Sequence, residues 1–165
     1  MAAGPVRVAI VPSGDDRRLR QVRALFEEYA RSLGVDLGFQ GFSAELAGLP
    51  GDYALPAGRL LLARSGAMPA GCVAVRPLEP SVCEMKRRFL RPAYRGTGLG
   101  RRLAEMAVSE ARTAGYDHIR LDTLESMESA QALYRALGFR PIPAYRHNPA
   151  PGATFMELDL AVPQG

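Results

Sequence analysis

The sequence predicts one mixed α/β domain over its 165 residues, a sheet covered by helices, on three observations. Apolar residues recur at helical spacing in three separate stretches. Short strand-like runs bounded by Gly and Pro stand before, between and after them. A glycine-rich junction, Tyr94-Arg95-Gly96-Thr97-Gly98-Leu99-Gly100-Arg101-Arg102, joins one such run to a helix-like one. The resulting order, β-α-α-β-β-β-α-β-α-β-β, fits an α/β or α+β fold.

Residues 6–11 read as a first strand closed by Pro12. Ser13 and Asp16 offer a capping-box start to a helix in which Leu19, Val22, Phe26, Tyr29 and Leu33 share one face, ended by Gly34. Leu37, Phe39 and Phe42 follow in a Gly-interrupted stretch, and residues 43–49 suggest a short helix stopped by Pro50-Gly51. Aromatic residues in such a loop either pack on the core or line a pocket. Residues 59–65 and 71–77 are strand-like, joined by a turn containing Gly66 and Pro69, and 82–90 is the next strand. Leu99, Leu103, Met106 and Ala107 mark a helix ending at Gly115. A short strand over 118–122 precedes a helix carrying Ala130, Leu133, Tyr134 and Leu137 at i, i+3, i+4 and i+7, ended by Gly138. Residues 139–142 and 154–160 supply the last strands.

Composition narrows the class without choosing a function. Hydrophobic residues at 47% and charged residues at 23% are ordinary for a globular chain. No apolar run approaches a membrane span, and Met1-Ala2-Ala3-Gly4-Pro5 lacks the features of an export signal, so a cytoplasmic location is expected. Cys72 and Cys83 sit in apolar runs without metal-ligand spacing and read as reduced core thiols; no metal is expected. The net charge of +4 is spread along the chain with no long basic run. That pattern argues against nucleic acid and suits a small polyanionic ligand. Lys86 is the only lysine; every other basic side chain is Arg, a bias that GC-rich coding also produces.

Alternating glycines at a strand-to-helix junction remove Cβ atoms from the approach of a phosphate to backbone N–H groups at the positive end of a helix. Arg95, Arg101 and Arg102 add donors shaped for phosphate oxygens. A P-loop is excluded because no Lys follows the glycines. A dinucleotide fingerprint fits poorly, since the third glycine position is Arg101 counted from Gly96 and Leu103 from Gly98. The bland alternative is a glycine turn without a ligand, and three glycines raise the entropic cost of such a turn.

Arg95-Gly96-Thr97-Gly98-Leu99-Gly100 matches an [Arg/Gln]-x-x-Gly-x-[Gly/Ala] signature. Downstream, Ala130-Gln131-Ala132-Leu133-Tyr134-Arg135-Ala136-Leu137-Gly138-Phe139 matches Ala-x-x-Leu-Tyr-x-x-x-Gly-Phe. In order and at this separation, the two blocks resemble the GNAT-superfamily N-acetyltransferases. The likeness runs from about residue 59 to 160, and the N-terminal strand and helices fit the same plan. One departure stands out: many members carry Asn where this chain has Met127, so an Asn contact to the cosubstrate is not carried over.

The resemblance implies a central, mostly antiparallel sheet of six to seven strands flanked by about four helices. It implies acetyl-CoA as cosubstrate, its pyrophosphate on the backbone of Arg95, Gly96, Thr97, Gly98, Leu99 and Gly100 with Arg101 nearby. The pantetheine arm is expected to lie along the strand ending in Phe89 and Leu90, which splays from the strand after it. Backbone N–H groups near Leu90 would polarise the thioester carbonyl. Tyr134 stands where relatives place a tyrosine that protonates the departing thiolate, and its apolar neighbours also allow a plain core aromatic. Glu84 is the candidate general base, directly or through water; equally, it can pair with Lys86 or Arg88 on a wet sheet face. Regular alternation would put Glu84, Lys86 and Arg88 on one face and Cys83, Met85 and Phe89 on the other. His118 reads as structural, while His147 lies in a loop that can edge the substrate pocket. An acyl-cysteine intermediate is disfavoured by the apolar settings of both thiols.

The expected function is transfer of acetyl from acetyl-CoA to a primary amine, most readily of a small molecule, in a ternary complex. Residues 28–42 and 145–149 are expected to shape the acceptor site. Acetylation of a protein N-terminus or lysine is the enzymatic alternative, and an acetyl-CoA-binding sensor without turnover is the alternative of another class. Neither nucleic acid nor membrane is expected as a partner; a homodimer is compatible with the resemblance.

Overall fold

The computed structural model describes residues 5–34, 41–150 and 152–161. Leu37 and Phe39 of the expected acceptor stretch lie outside them. Strand β1 (Val6–Ile10) leads into helix α1 (Asp16–Leu33), whose N-cap is Asp15, not Ser13. The Asp15 carboxylate accepts from the Arg18 backbone N–H at 3.1 Å, so the acidic residue nearest the helix takes the role. Helix α2 (Phe42–Ala47) and a 3-10 turn (Gly51–Tyr53) follow. Strands β2 (Arg59–Ser65), β3 (Met68–Glu79) and β4 (Val82–Leu90) form an antiparallel meander, and β3 takes in Pro69, expected in the turn. Helix α3 (Leu99–Thr113), β5 (His118–Thr123), α4 (Glu128–Ala136), β6 (Arg140–Ile142) and β7 (Thr154–Asp159) complete the chain.

The sheet has seven strands in the order β1-β2-β3-β4-β5-β7-β6, antiparallel except between β4 and β5. Both faces are covered, which is why β2 reads as a continuous apolar run, Leu60-Leu61-Leu62-Ala63, without polar alternation. Leu60 and Leu62 pack with Leu19, Val22, Leu25 and Phe26 of α1. Leu61 and Ala63 pack with Leu103, Ala104, Ala107 and Ala111 of α3. The small residues of α3 let that helix lie close on the sheet. Each fully buried Leu of these layers contributes roughly 1.5–3 kcal/mol of apolar transfer energy. Among the described residues no helix is long and apolar enough to cross a membrane.

Two irregularities in the middle of the sheet create the space that matters. The β4–β5 ladder is only three residues long, pairing Val82, Cys83 and Glu84 with His118, Ile119 and Arg120. Beyond it β4 stays with β3 while β5 stays with β7, so the two strands part. In the same stretch β4 carries an extra residue. Lys86 opposes Ala74 and Phe89 opposes Cys72, so Arg87 and Arg88 together face Val73. Such a bulge bends and twists its strand and ends regular pairing.

Candidate active site

The extra residue is Arg87, at φ 59° in the left-handed region, which costs a side chain about 1–2 kcal/mol. Distant groups hold it there. Its Nε and Nη2 each donate to the Glu45 carboxylate at 2.9 Å, and its guanidinium lies 5.1 Å from the Phe42 ring and 5.9 Å from that of Tyr29. The bulge corrects the regular alternation expected of β4. Glu84 and Lys86 keep one face, but Arg88 crosses to meet Tyr134, and Phe89 joins the α1-side core instead of accompanying Met85.

Between the parted strands lies a cleft lined by Tyr29, Lys86, Arg88, Asp122, Met127 and Tyr134, among others. Tyr134 is buried in α4, its ring 5.7 Å from that of Phe139, and its hydroxyl accepts from Arg88 Nε at 2.9 Å. It is thus a core aromatic that also lines the cleft. Met127 is the N-cap residue of α4 and also a cleft wall.

Past the cleft-lining Arg88 the chain leaves Leu90, makes a 3-10 turn (Pro92–Tyr94) and enters α3 through the glycine loop. Gly98 is the N-cap at φ 86°, a conformation that glycine adopts without strain. It offers no side-chain cap, and no acidic residue stands in the first turn. The helix therefore presents backbone N–H groups and an unopposed positive dipole end, which fits a pyrophosphate. Gly100 has another reason to be glycine: a Cβ there would sit 2.7 Å from Arg88 Nη1 and 3.1 Å from Leu90 Cδ1. Its missing side chain leaves room for the arginine that reaches Tyr134. Arg95 folds back so that Nε donates to the Leu90 carbonyl at 3.3 Å. Arg101 holds only an exposed pair with Glu105 at 3.2 Å, readily exchanged for another anion. Arg102 instead donates to the Val6 carbonyl at 2.8 Å and ties α3 to β1.

On the α1 face, Glu84 is fully buried, not on a wet sheet face, and groups from β3 and from a distant loop hold it. Arg76 Nε and Nη2 both lie 3.0 Å from its Oε1. The Tyr145 hydroxyl donates to Oε2 at 2.5 Å, and Arg146 Nη2 pairs with the same oxygen. Tyr145 and Arg146 come from the loop between β6 and β7, which folds back over the sheet. There Asn148 Nδ2 donates to Asp122 at 3.0 Å, and Tyr145 packs edge-on against Phe155. Burial pushes the Tyr145 phenol above its ordinary range, so it stays a donor. Burial, with Arg76 nearby, lowers the Arg146 guanidinium to about 10. A carboxylate already accepting from two guanidiniums and a phenol is poorly placed to take another proton directly.

The sequence profile of the Acetyltransferase (GNAT) family matches residues 22–139. The chain belongs to that family. An uncharacterized N-acetyltransferase of Schizosaccharomyces pombe is 39% identical over 145 residues, covering 87% of this chain and 89% of the relative. An acetyltransferase of Streptococcus agalactiae shares the fold at a TM-score of 0.76 and 20% identity, over 93% of this chain and 98% of its own. The Salmonella typhimurium protein yncA, solved with its cofactor acetyl-CoA, superposes at a TM-score of 0.65 and 18% identity over 95% of each chain.

Several functional-face residues of this acetyltransferase escape sequence reading. Arg76 and Arg146 carry no motif, and only their convergence on Glu84, with Arg146 also 3.9 Å from Asp122, gives them meaning. Tyr145 was legible only as part of the loop containing His147, which is itself exposed. Both cysteines are free and fully buried. Burial pushes the Cys83 thiol up to about 12 and that of Cys72 further still. Neither can supply a thiolate at neutral pH, which disfavours an acyl-cysteine route. No cluster of His, Cys, Asp and Glu suited to a metal occurs among the described residues.

Proposed function

We propose that this acetyltransferase moves the acetyl group of acetyl-CoA to a primary amine of a small molecule by direct attack in a ternary complex. The observation that carries this reading is the cleft where β4 and β5 part, with Tyr134 on its wall and an uncapped helix N-terminus past the end of β4. Past Glu84, β4 has no ladder partner on its β5 side among the described strands, which suits an extended pantetheine arm. The opposite face carries the Tyr145–Arg146 loop and α2, both tied to β4, which favours a small acceptor over a protein tail. In this reading Tyr134 protonates the departing thiolate, while Glu84 fixes the loop that walls the acceptor side.

The test is a panel of amino acids, polyamines, aminoglycosides and short peptides, followed by release of free CoA thiol. Turnover confined to small amines supports the reading, and turnover confined to peptides replaces it with a protein acceptor. Acetyl-CoA binding with no thiol release across the panel marks a sensor. The cosubstrate seat has its own test in Gly98→Val. A β-branched residue disfavours φ 86° by ~1–2 kcal/mol, so the free loop should relax away from the conformation that presents its N–H groups. Restoring that conformation on binding should lower acetyl-CoA affinity about tenfold. Nothing lies within 4 Å of a Cβ at this position, so the fold should survive. Calorimetric titration with unchanged affinity would sink the assignment of this loop.

A further inference from the structure

Lys86 is one lysine among 21 basic side chains, and it lies in the cleft. Arginine does not give up its proton in a working protein; lysine can. Of the 21 Lys and Arg side chains, the one able to do so is thus placed on the cleft wall, only 4% exposed. It stands two residues beyond Glu84 on the same face, opposite the small Ala74, with Tyr134 lining the same cleft. Among the described residues, the groups set about it include Tyr29 of α1, Glu45 of α2, Arg76 of β3, Arg87 of β4 and Asp122 of β5. Glu84, the alternative acceptor of a proton, has both oxygens engaged by Arg76, Tyr145 and Arg146.

We propose that Lys86, as the neutral amine, takes the proton from the acceptor's ammonium group and so serves as the general base of acetyl transfer. This rests on the acetyltransferase reading above and assigns a role within it. Burial first, then Arg87 and Arg76, draw its ammonium down from 10.5 to about 7, against the opposing pull of Asp122 and Glu45. The acceptor R–NH3+ gives one proton to Lys86 Nζ, and its freed lone pair forms the C–N bond at the thioester carbonyl. The C–S bond breaks, and the thiolate takes the Tyr134 phenol proton. The nitrogen's second proton, shed as the amide forms, restores Tyr134, and Lys86 returns its own proton to solvent.

Protein grown with lysine carbon-13-labelled at the ε position gives a single side-chain resonance, whose pH titration reads Lys86 without any variant. In parallel, kcat is measured against pH for wild type, Lys86→Met and Lys86→Arg, with acetyl-CoA and the fastest amine of the panel. The expected result is a resonance titrating near 7 and a wild-type kcat that rises with pH and levels above that value. Both variants should fall by ~10²–10⁴-fold at neutral pH and keep climbing with pH as the acceptor loses its proton unaided. Stability gives a second check. Between about 7 and 10.5 the unfolded chain holds a proton that folded Lys86 has lost. Wild-type stability should therefore rise from pH 7 to 9 relative to Lys86→Met. A resonance titrating near 10.5 with acetyl-CoA bound, variant profiles that overlay wild type, or an acetyl group found on Lys86 itself overturns the proposal alone. Absence of thiol release with every amine removes the acetyltransferase reading and this role with it.

Discussion

Tyr134→Phe is expected to slow acetyl transfer by ~10²–10⁴-fold, the usual contribution of a positioned proton donor, while acetyl-CoA affinity changes little. The geometry separates the two effects. The ring is fixed by Phe139 at 5.7 Å and by the Arg88 guanidinium 5.3 Å above it, contacts that phenylalanine keeps. What disappears is the hydroxyl that accepts from Arg88 Nε at 2.9 Å and lines the cleft. Turnover followed by thiol release, with acetyl-CoA binding measured by calorimetry, distinguishes the possible roles. Unchanged turnover removes Tyr134 from the chemistry. Turnover and affinity falling together assign it to the fold.

Glu45→Ala should destabilise the protein by about 3–5 kcal/mol, the cost of stranding a buried charge by removing its partner. Arg87 is only 3% exposed, and its two-pronged pair with Glu45 holds a backbone that would otherwise avoid φ 59°. The midpoint of urea unfolding reads the loss. Adding Arg87→Met to Glu45→Ala should recover most of it, because the stranded charge then goes as well. A single variant within about 1 kcal/mol of wild type would show that water reaches Arg87 and that the bulge stands without its pair.

Much of this was legible in the chain because its causes are local. The helices followed from apolar spacing and from glycines at their ends, and Gly98 announced the start of α3 because a positive φ at that junction calls for glycine. Tyr134 was found through the residues around it. The cap at Asp15 was missed by two positions, since Ser13 and Asp15 offer similar oxygens and only the path of the chain decides between them. The bulge was not legible at all. Nothing in residues 82–90 marks an arginine for the left-handed region, and its anchor, Glu45, lies 42 positions away on helix α2. The partners of Glu84 were hidden likewise, arriving from β3 and from a loop 61 residues downstream. Gly100 reads from sequence as part of a ligand seat, and hidden from that reading is the closeness of Arg88 and Leu90 to its missing Cβ.

Arg87 is also a matter of length. Without it, Lys86, Arg88 and Phe89 would oppose Ala74, Val73 and Cys72 in unbroken register, and every remaining side chain of β4 would keep its present face. Deleting this one residue should therefore leave a foldable sheet, straighter than before, in which β4 and β5 stay together past Glu84 and Arg120. Backbone amides from Met85 to Leu90 would then exchange with solvent more slowly, and if the proposed seat is right, acetyl-CoA affinity would fall. The distance between a closed sheet and a parted one is a single surplus peptide unit, fastened from outside the strand by a carboxylate.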